Sequence, residues 1–491
     1  MSNQDQDPKN QEIVENRALN IWEALIPIFA LVGMLAYNVL VFGDDALSGS
    51  NQFILLLGAA VAALVGFFNK TSFETMMEEV AQNIKSTAGA ILILLMVGAL
   101  AGTWLVSGII PTMIYYGLQI LNPSIFLAAC VVICAIISVA TGSSWTTSAT
   151  VGIALIGIAN ALGISLGMTA GAILSGAYFG DKLSPLSDTT NLAPAMAGTD
   201  LFTHIQYMLF TTVPTVSITL IVFIIIGLNI ETSGTADTSA ILASIDDAFT
   251  ISPWLFIVPA IVIFMIIKKT PPLIALLIGT ILGGIAALIF QPEIIAGLGG
   301  SESLTFESGY KGIMNAITVD TAIETTNENL NDLFAASGMA GMLGTIWLIL
   351  CAMTFGGVMD AIGALSRISA FMLNLFESTF GLFASTVATC IGLNATASDQ
   401  YLAIVVPGKM YAKAYKDKGL APENLSRTLE DSGTVTSVLV PYNTCGAYQS
   451  GVLGVSVADY FFYAIFNWLS PFMTLLFAAF SIKIRQLRGS K

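Results

Sequence analysis

Four aspartates stand where an apolar chain turns abruptly polar. Asp181 and Asp188 lie in SGAYFGDKLSPLSDTTNLAPA (175–195), Asp399 in CIGLNATASDQYLAI (390–404) and Asp431 in LEDSGTVTSVLVPYNTCGAYQSG (429–451). A charge at bilayer depth costs at least about 2.5–3.5 kcal/mol, so a carboxylate kept there usually serves an ion path or a proton relay. Neutral oxygens crowd around these acids. TGSS supplies Thr141, Ser143 and Ser144, DTTN supplies Thr189, Thr190 and Asn191 beside Asp188, NATASD supplies Asn394, Thr396 and Ser398, and YNTC supplies Asn443 and Thr444. Carboxylate, hydroxyl, amide and backbone carbonyl are the donor set of a small hard cation, with no sulfur or imidazole required. Burial favours the protonated form of a carboxylate and a bound cation favours the ionised form, so such a group holds either a proton or a sodium ion. Asp188 and Asp399 are the first candidates for the exchanging carboxylates, then Asp181, then Asp431. Lys182, the one cation inside the first motif, is the candidate charge partner. Two plainer readings compete: hydroxyl-rich patches also serve helix packing, and Asp181 with Lys182 could mark an aqueous helix end.

The elements that must position these residues are membrane helices. The chain has 491 residues, 55% of them hydrophobic and 10% charged, against about 25% charged in soluble proteins; its mean hydropathy is +0.81. Apolar runs long enough to cross a bilayer occur at 21–42, 88–106, 124–140, 209–227, 251–267 and 460–482. The polar first twenty residues lack the features of a signal peptide and read as a cytosolic tail. With 32 acidic and 18 basic residues, net charge −14, a nucleic-acid-binding surface is not expected. The five cysteines lie in apolar surroundings and read as small hydrophobes. His204 is the single histidine, so carboxylates are the expected proton carriers, while His204 itself is expected to pack or bond locally. Asp200 and Asp459 begin matching helices and read as N-caps. Asp360 and Glu377 read as solvated caps near span ends.

Basic segments near Lys70 and Lys85, at Lys268–Lys269, from Lys409 to Lys418 and from Lys483 to Lys491 alternate with acidic ones at Asp44–Asp45, Glu231–Asp247 and 291–332. Lys and Arg beside the spans mark the cytoplasmic side, which places both termini there. The chain then divides into a tail (1–20), a membrane repeat (21–229), an acidic external loop (230–251), a second repeat of opposite orientation (252–482) and a basic cytoplasmic tail (483–491). A shift of 254 residues aligns 98–144 with 352–398 without a gap, with Gly102/Gly356, Ser124/Ser378 and Ser144/Ser398 among the identities. LSPLSDTT around Pro185 parallels LVPYNTCG around Pro441, and DLFTHIQYMLF from Asp200 parallels DYFFYAIFNWL from Asp459. Interrupted apolar segments at corresponding places in two inverted halves point to a transporter binding site. The expected fold is an all-α polytopic membrane protein of two inverted-topology repeats, each with a re-entrant hairpin and a discontinuous helix. TGSS and NATASD are the hairpin tips, with DTTN and YNTC opposite them.

SGAYFGDKLSPLSDTTNLAP resembles the signature stretch of NhaC-type bacterial sodium/proton antiporters, and the resemblance extends from the first span to the last. It implies exchange of Na⁺ for H⁺ across the cytoplasmic membrane, in a fold of inverted repeats and re-entrant hairpins with a mobile transport domain. A branch of the family resembles malate/lactate exchangers coupled to sodium and protons, which makes a small carboxylate the alternative cargo. No buried arginine clamp is expected, and that favours ions alone. Na⁺, H⁺ and membrane lipid are the expected partners, a homodimer is compatible, and no cofactor is implied. A channel would need a continuous polar pore, and no enzyme motif stands in the chain.

Overall fold

A computed structural model describes residues 19–42, 49–230, 238–325, 334–373 and 378–487. The N-terminal tail up to residue 18, Asp44, Asp45, Glu377, Arg488 and Lys491 lie outside the described residues, as do parts of both acidic loops.

Backbone amides have no partner in hydrocarbon, so a chain this apolar must satisfy them within helices. Among the described residues, eight helices are long and apolar enough to span a membrane: Ile21–Phe42, Ser50–Phe68, Phe73–Val106, Pro123–Thr141, Leu201–Asn229, Pro272–Phe290, Gly338–Ala361 and Thr379–Thr396. The one ladder among the described residues is a two-residue pairing of Thr321–Ala322 with Ala335–Ala336, too small to alter the all-α class. The apolar run at 251–267 is a short 3₁₀ turn, Pro253–Phe256, followed by Ile257–Ile267; together they bend by 84° from the helix at 241–248.

Each half contains a helical hairpin whose tip stays inside the protein. In the first, Asn122 accepts a hydrogen bond from the Ser124 N–H and Pro123 starts the helix, which runs to Thr141. Gly142 ends it in a left-handed turn (φ 72°); a β-carbon there would stand 2.5 Å from Leu186 Cβ. Ser143 then accepts from the Thr146 N–H and starts the return helix, which continues through a π-helical turn, Ser148–Gly152, into Ile153–Ala161. In the second, Ser378 caps Thr379–Thr396, the chain turns at 397–401 with Ser398 left-handed (φ 57°), and Leu402–Asp417 returns.

After each hairpin comes an interrupted helix. Leu166–Leu183 lies so close to Pro123–Thr141 that a β-carbon on Gly176 would approach the Val131 carbonyl oxygen to 2.2 Å. It stops at Ser184, and a new helix, Asp188–Ala197, starts under the Ser187 cap. In the second half, Pro422–Leu429 passes through a π-helical turn, Glu430–Thr434, breaks, and resumes as Thr444–Leu453 under the Asn443 cap. The order of elements from 343 to 396 follows that from 73 to 141: Leu343–Ala361, Ala364–Leu373 and Thr379–Thr396 answer Phe73–Val106, Ile109–Ile120 and Pro123–Thr141.

Two expectations are corrected. The apolar run 460–482 is broken rather than one span: a four-residue helix ends at Tyr460 and the next, Ile465–Ala479, starts after a turn. Loose amides there are met from afar, with the Phe466 N–H donating to Ser175 Oγ at 3.4 Å. Asp459 is not an N-cap. Ser456 caps that helix and Asp459, three residues on, accepts from the Ser456 hydroxyl at 2.8 Å. Asp200 does cap Leu201–Asn229, and the Thr203 hydroxyl and N–H beside its exposed carboxylate hold it below the usual carboxylate range. Asp360 is part-buried in the last turn of Leu343–Ala361.

Candidate ion-exchange site

The two hairpin tips face one cavity of about 640 Å³. The first tip contributes Thr141, Gly142 and Ser143 with Trp145 and Thr146, and the second contributes Asp399, Gln400 and Tyr401. The interrupted helices add Asp181, Ser187, Asp188, Thr189 and Asn191 from one half and Thr444 and Cys445 from the other. Ser86 and Thr87 on Phe73–Val106, with Lys269 and Thr270, complete the wall. Three carboxylates thus meet in a concave space with one lysine in its lining.

The three acids are held differently. Asp181 is buried, and one of its oxygens accepts from both the Ser144 N–H (3.0 Å) and the Ser144 hydroxyl (2.6 Å), which ties the first tip to the interrupted helix. The Thr190 hydroxyl donates to the Asp181 carbonyl at 3.1 Å. Asp399 is buried and accepts from the Leu402 N–H at 3.0 Å, so it starts the return helix while lining the cavity. Asp188, at the first turn of its helix, is exposed on the cavity wall.

The remaining neutral candidates divide into lining and scaffold. Thr141 lines the cavity, and its hydroxyl has no hydrogen-bond partner. Thr189 bonds with the Ser187 hydroxyl (3.2 Å), and the Asn191 amide donates to the Pro185 and Ser187 carbonyls at 3.0 and 2.6 Å. Asn394 and Asn443 are buried scaffold. Asn394 donates to the Gly433 carbonyl (2.7 Å) and the Thr436 hydroxyl (3.0 Å), and Asn443 donates to the Asn394 carbonyl (3.0 Å). Thr396 donates to the Gly392 carbonyl of its own helix. The Ser398 carbonyl accepts from the Thr444 N–H at 3.0 Å, while its hydroxyl is buried without a partner.

Lys182 and Asp431 lie apart from the cavity lining. Lys182 pairs with Asp431, 249 residues away, both side chains fully buried. Asp431 also accepts from the Thr211 (2.8 Å) and Thr474 (2.5 Å) hydroxyls, and the lysine ammonium stands 5.5 Å from the Phe466 ring centroid. A buried ion pair is helped when its remaining lone pairs are met, and here both hydroxyls donate to the second oxygen of Asp431. His204 is buried with Nδ1 2.8 Å from Ser426 Oγ, 222 residues away, so its bond is not the local one expected and ties Leu201–Asn229 to Pro422–Leu429. Arg427 is fully buried, its guanidinium 4.5 Å from the Tyr207 ring centroid and within hydrogen-bond reach of the Lys483 carbonyl (3.5 Å). It reaches an aromatic shelf near the C-terminal segment, outside the cavity lining, so it is a buried arginine without being a clamp on cargo.

Several lining residues carried no clear signal in the letters. Cys445 donates to Gln400 Oε1 at 2.5 Å and lines the cavity; a cysteine among apolar neighbours reads as a packing residue. Trp145 stacks on Tyr448 with centroids 3.9 Å apart, and the Tyr448 hydroxyl donates to the Trp145 carbonyl.

The model of the Na⁺/H⁺ antiporter family matches residues 176–482, from within the first interrupted helix to just beyond the last helix, Ile465–Ala479. The chain is 37% identical over 430 residues to the Na⁺/H⁺ antiporter NhaC of Alkalihalophilus pseudofirmus, covering 88% of this chain and 90% of that one. It is 34% identical over 425 residues to the Na⁺/H⁺ antiporter NhaC of Bacillus subtilis, covering 86% and 90%. It is 36% identical over 438 residues to the malate-2H⁺/Na⁺-lactate antiporter of Bacillus subtilis, covering 88% of each. A polytopic helical protein with paired interrupted helices around a carboxylate-lined cavity, this chain belongs to the Na⁺/H⁺ antiporter family.

Proposed function

We propose that the protein exchanges Na⁺ for H⁺ across the bacterial cytoplasmic membrane by alternating access. The observation that carries this reading is the cavity itself: both hairpin tips and both interrupted helices converge on Asp181, Asp188 and Asp399. Sodium is held there by carboxylate oxygens with Thr141 and the neighbouring hydroxyls and carbonyls, and a proton replaces it on the return. The two halves are taken as inverted repeats with both termini cytoplasmic. The cavity then opens to the cytoplasm, the side of Lys269.

A second reading has one observation in its favour. At about 640 Å³ the cavity is far larger than a sodium ion requires and falls in the range that accepts small organic ligands. One relative carries malate and lactate by its name. The deciding experiment is proteoliposomes with a trapped pH dye, given Na⁺ with and without malate or lactate. Sodium alone is expected to move protons. Proton movement that appears only when the carboxylate is added would replace ion exchange by carboxylate exchange.

A further inference from the structure

Glu430 lies outside the cavity lining and plays no part in the exchange scheme above. It is the first residue of the π-helical turn Glu430–Thr434 and is fully buried. Neither carboxylate oxygen has a hydrogen-bond partner, and the Thr434 hydroxyl beside it makes no bond of proper geometry. A buried ionised carboxylate with no partner is among the costliest groups a protein can hold. Asp431, the next residue, has a lysine and two hydroxyls at its oxygens. The polar partners of this region thus converge on one acid of the pair and leave the other alone.

The charges that act on Glu430 are Lys182 and Asp181, adjacent on Leu166–Leu183, and its own neighbour Asp431. Ile465–Ala479 and Thr379–Thr396, which also pack on this turn, carry no acidic or basic side chain. Asp188–Ala197 brings only Asp188, and the lysines of Leu402–Asp417 are exposed. Arg427, one turn earlier on the same helix, lies over Tyr207.

We propose that Glu430 is a proton-binding site of the transport cycle, separate from the cavity carboxylates and coupled to them through the adjacent Asp181 and Lys182. With the cavity empty, burial without a hydrogen-bond partner favours the neutral, protonated form of Glu430, and the negative charges of Asp181 and Asp431 add to it against the pull of Lys182. Sodium on Asp181 cancels one negative charge, Lys182 then favours an ionised Glu430, and its proton leaves. One Na⁺ enters and one H⁺ departs, so the buried charge is unchanged. The coupling follows from Coulomb's law between neighbouring groups and needs no shared ligand.

The scheme rests on the sodium/proton reading, and the test separates the two. Purified Glu430→Gln, which keeps the shape of the protonated acid, is compared with wild type in proteoliposomes. Sodium uptake driven by a pH gradient is expected to fall about tenfold or more, while sodium/sodium counterflow persists; Glu430→Asp is expected to restore gradient-driven uptake with a shifted pH profile. Loss of both modes in Glu430→Gln, or of neither, overturns the proposal. Infrared difference spectra on sodium addition give a readout independent of transport. One carbonyl band of a protonated carboxylic acid should disappear on adding sodium to wild type and be missing from the Glu430→Gln difference spectrum, while the bands of the cavity carboxylates remain in both. A sodium-difference spectrum of Glu430→Gln that keeps every carbonyl band of the wild type also overturns the proposal. Absence of gradient-driven sodium uptake in wild type would instead count against the exchange reading, with the infrared band still deciding on Glu430.

Discussion

Thr141 is the neutral oxygen whose surroundings say most about its use. It lines the cavity beside the left-handed Gly142, and its hydroxyl is buried without a partner. Thr141→Val keeps the shape and deletes an unmet polar atom, so thermal stability should hold or rise. If the hydroxyl completes a sodium shell, the loss of roughly 1–3 kcal/mol raises the sodium KM about 5- to 150-fold. An unchanged KM in a folded Thr141→Val would assign the hydroxyl to packing. Asp181 and Asp188 make a second contrast. Asp181→Asn leaves the Ser144 N–H and hydroxyl facing an amide and should abolish sodium-driven proton movement. Asp188→Asn, on the exposed wall, should weaken sodium binding and spare more of the turnover; equal loss in both would make them one site. The acids were legible as polar residues in apolar surroundings. Their division of labour was not, because adjacent helical residues point about 100° apart and only the fold brings Lys182 to Asp431, leaving Glu430 alone.

At the scale of elements, the hairpins and interrupted helices could be read from Gly, Pro and hydroxyl punctuation. TGSS, LSPLSD and VPYNTC carry caps and turn residues that no continuous helix needs. The break after Tyr460 had no such mark. Its amides are met by Ser175 and its neighbour Asn467 donates to the Val435 carbonyl at 2.9 Å, partners that an apolar run does not reveal. One contact joins elements of both halves at the cavity wall: Trp145 on the first return helix stacks on Tyr448 of Thr444–Leu453. Aromatic stacking adds about 0.5–1.5 kcal/mol beyond burial, enough to bias two conformations of similar energy. Tyr448→Ala should therefore loosen the closed state, and Tyr448→Phe should preserve most of it. In a background with Asn191→Cys, the reading is the rate of cysteine modification from the cytoplasmic side. It should fall in Tyr448→Ala as the outward state gains population. The same rate in all three proteins would remove the stack from gating.

At the scale of the whole molecule, the letters display a sign pattern. Basic segments and acidic segments alternate along the chain, and the helix order from 73 to 141 recurs from 343 to 396. If the recurrence is an inversion, the first hairpin enters from outside and the second from inside, and their tips meet because each stops partway. The cavity between them would then open towards Lys269, Lys416 and the ends of the chain. This makes a geometric demand that side-specific labelling can check. Glu302→Cys, on an exposed turn after Pro292–Leu298, should react with an impermeant reagent added outside intact cells. Lys416→Cys, exposed at the end of Leu402–Asp417, should react only in everted vesicles, as should Asn191→Cys on the cavity wall. Sodium should slow modification of Asn191→Cys and leave Lys416→Cys untouched, because the first lies beside the ion and the second on the surface. Labelling of Glu302→Cys and Lys416→Cys from the same side would refute the inverted arrangement, and with it the cytoplasmic opening of the cavity. Protection of both cysteines by sodium would point to a global closure in place of local occupancy.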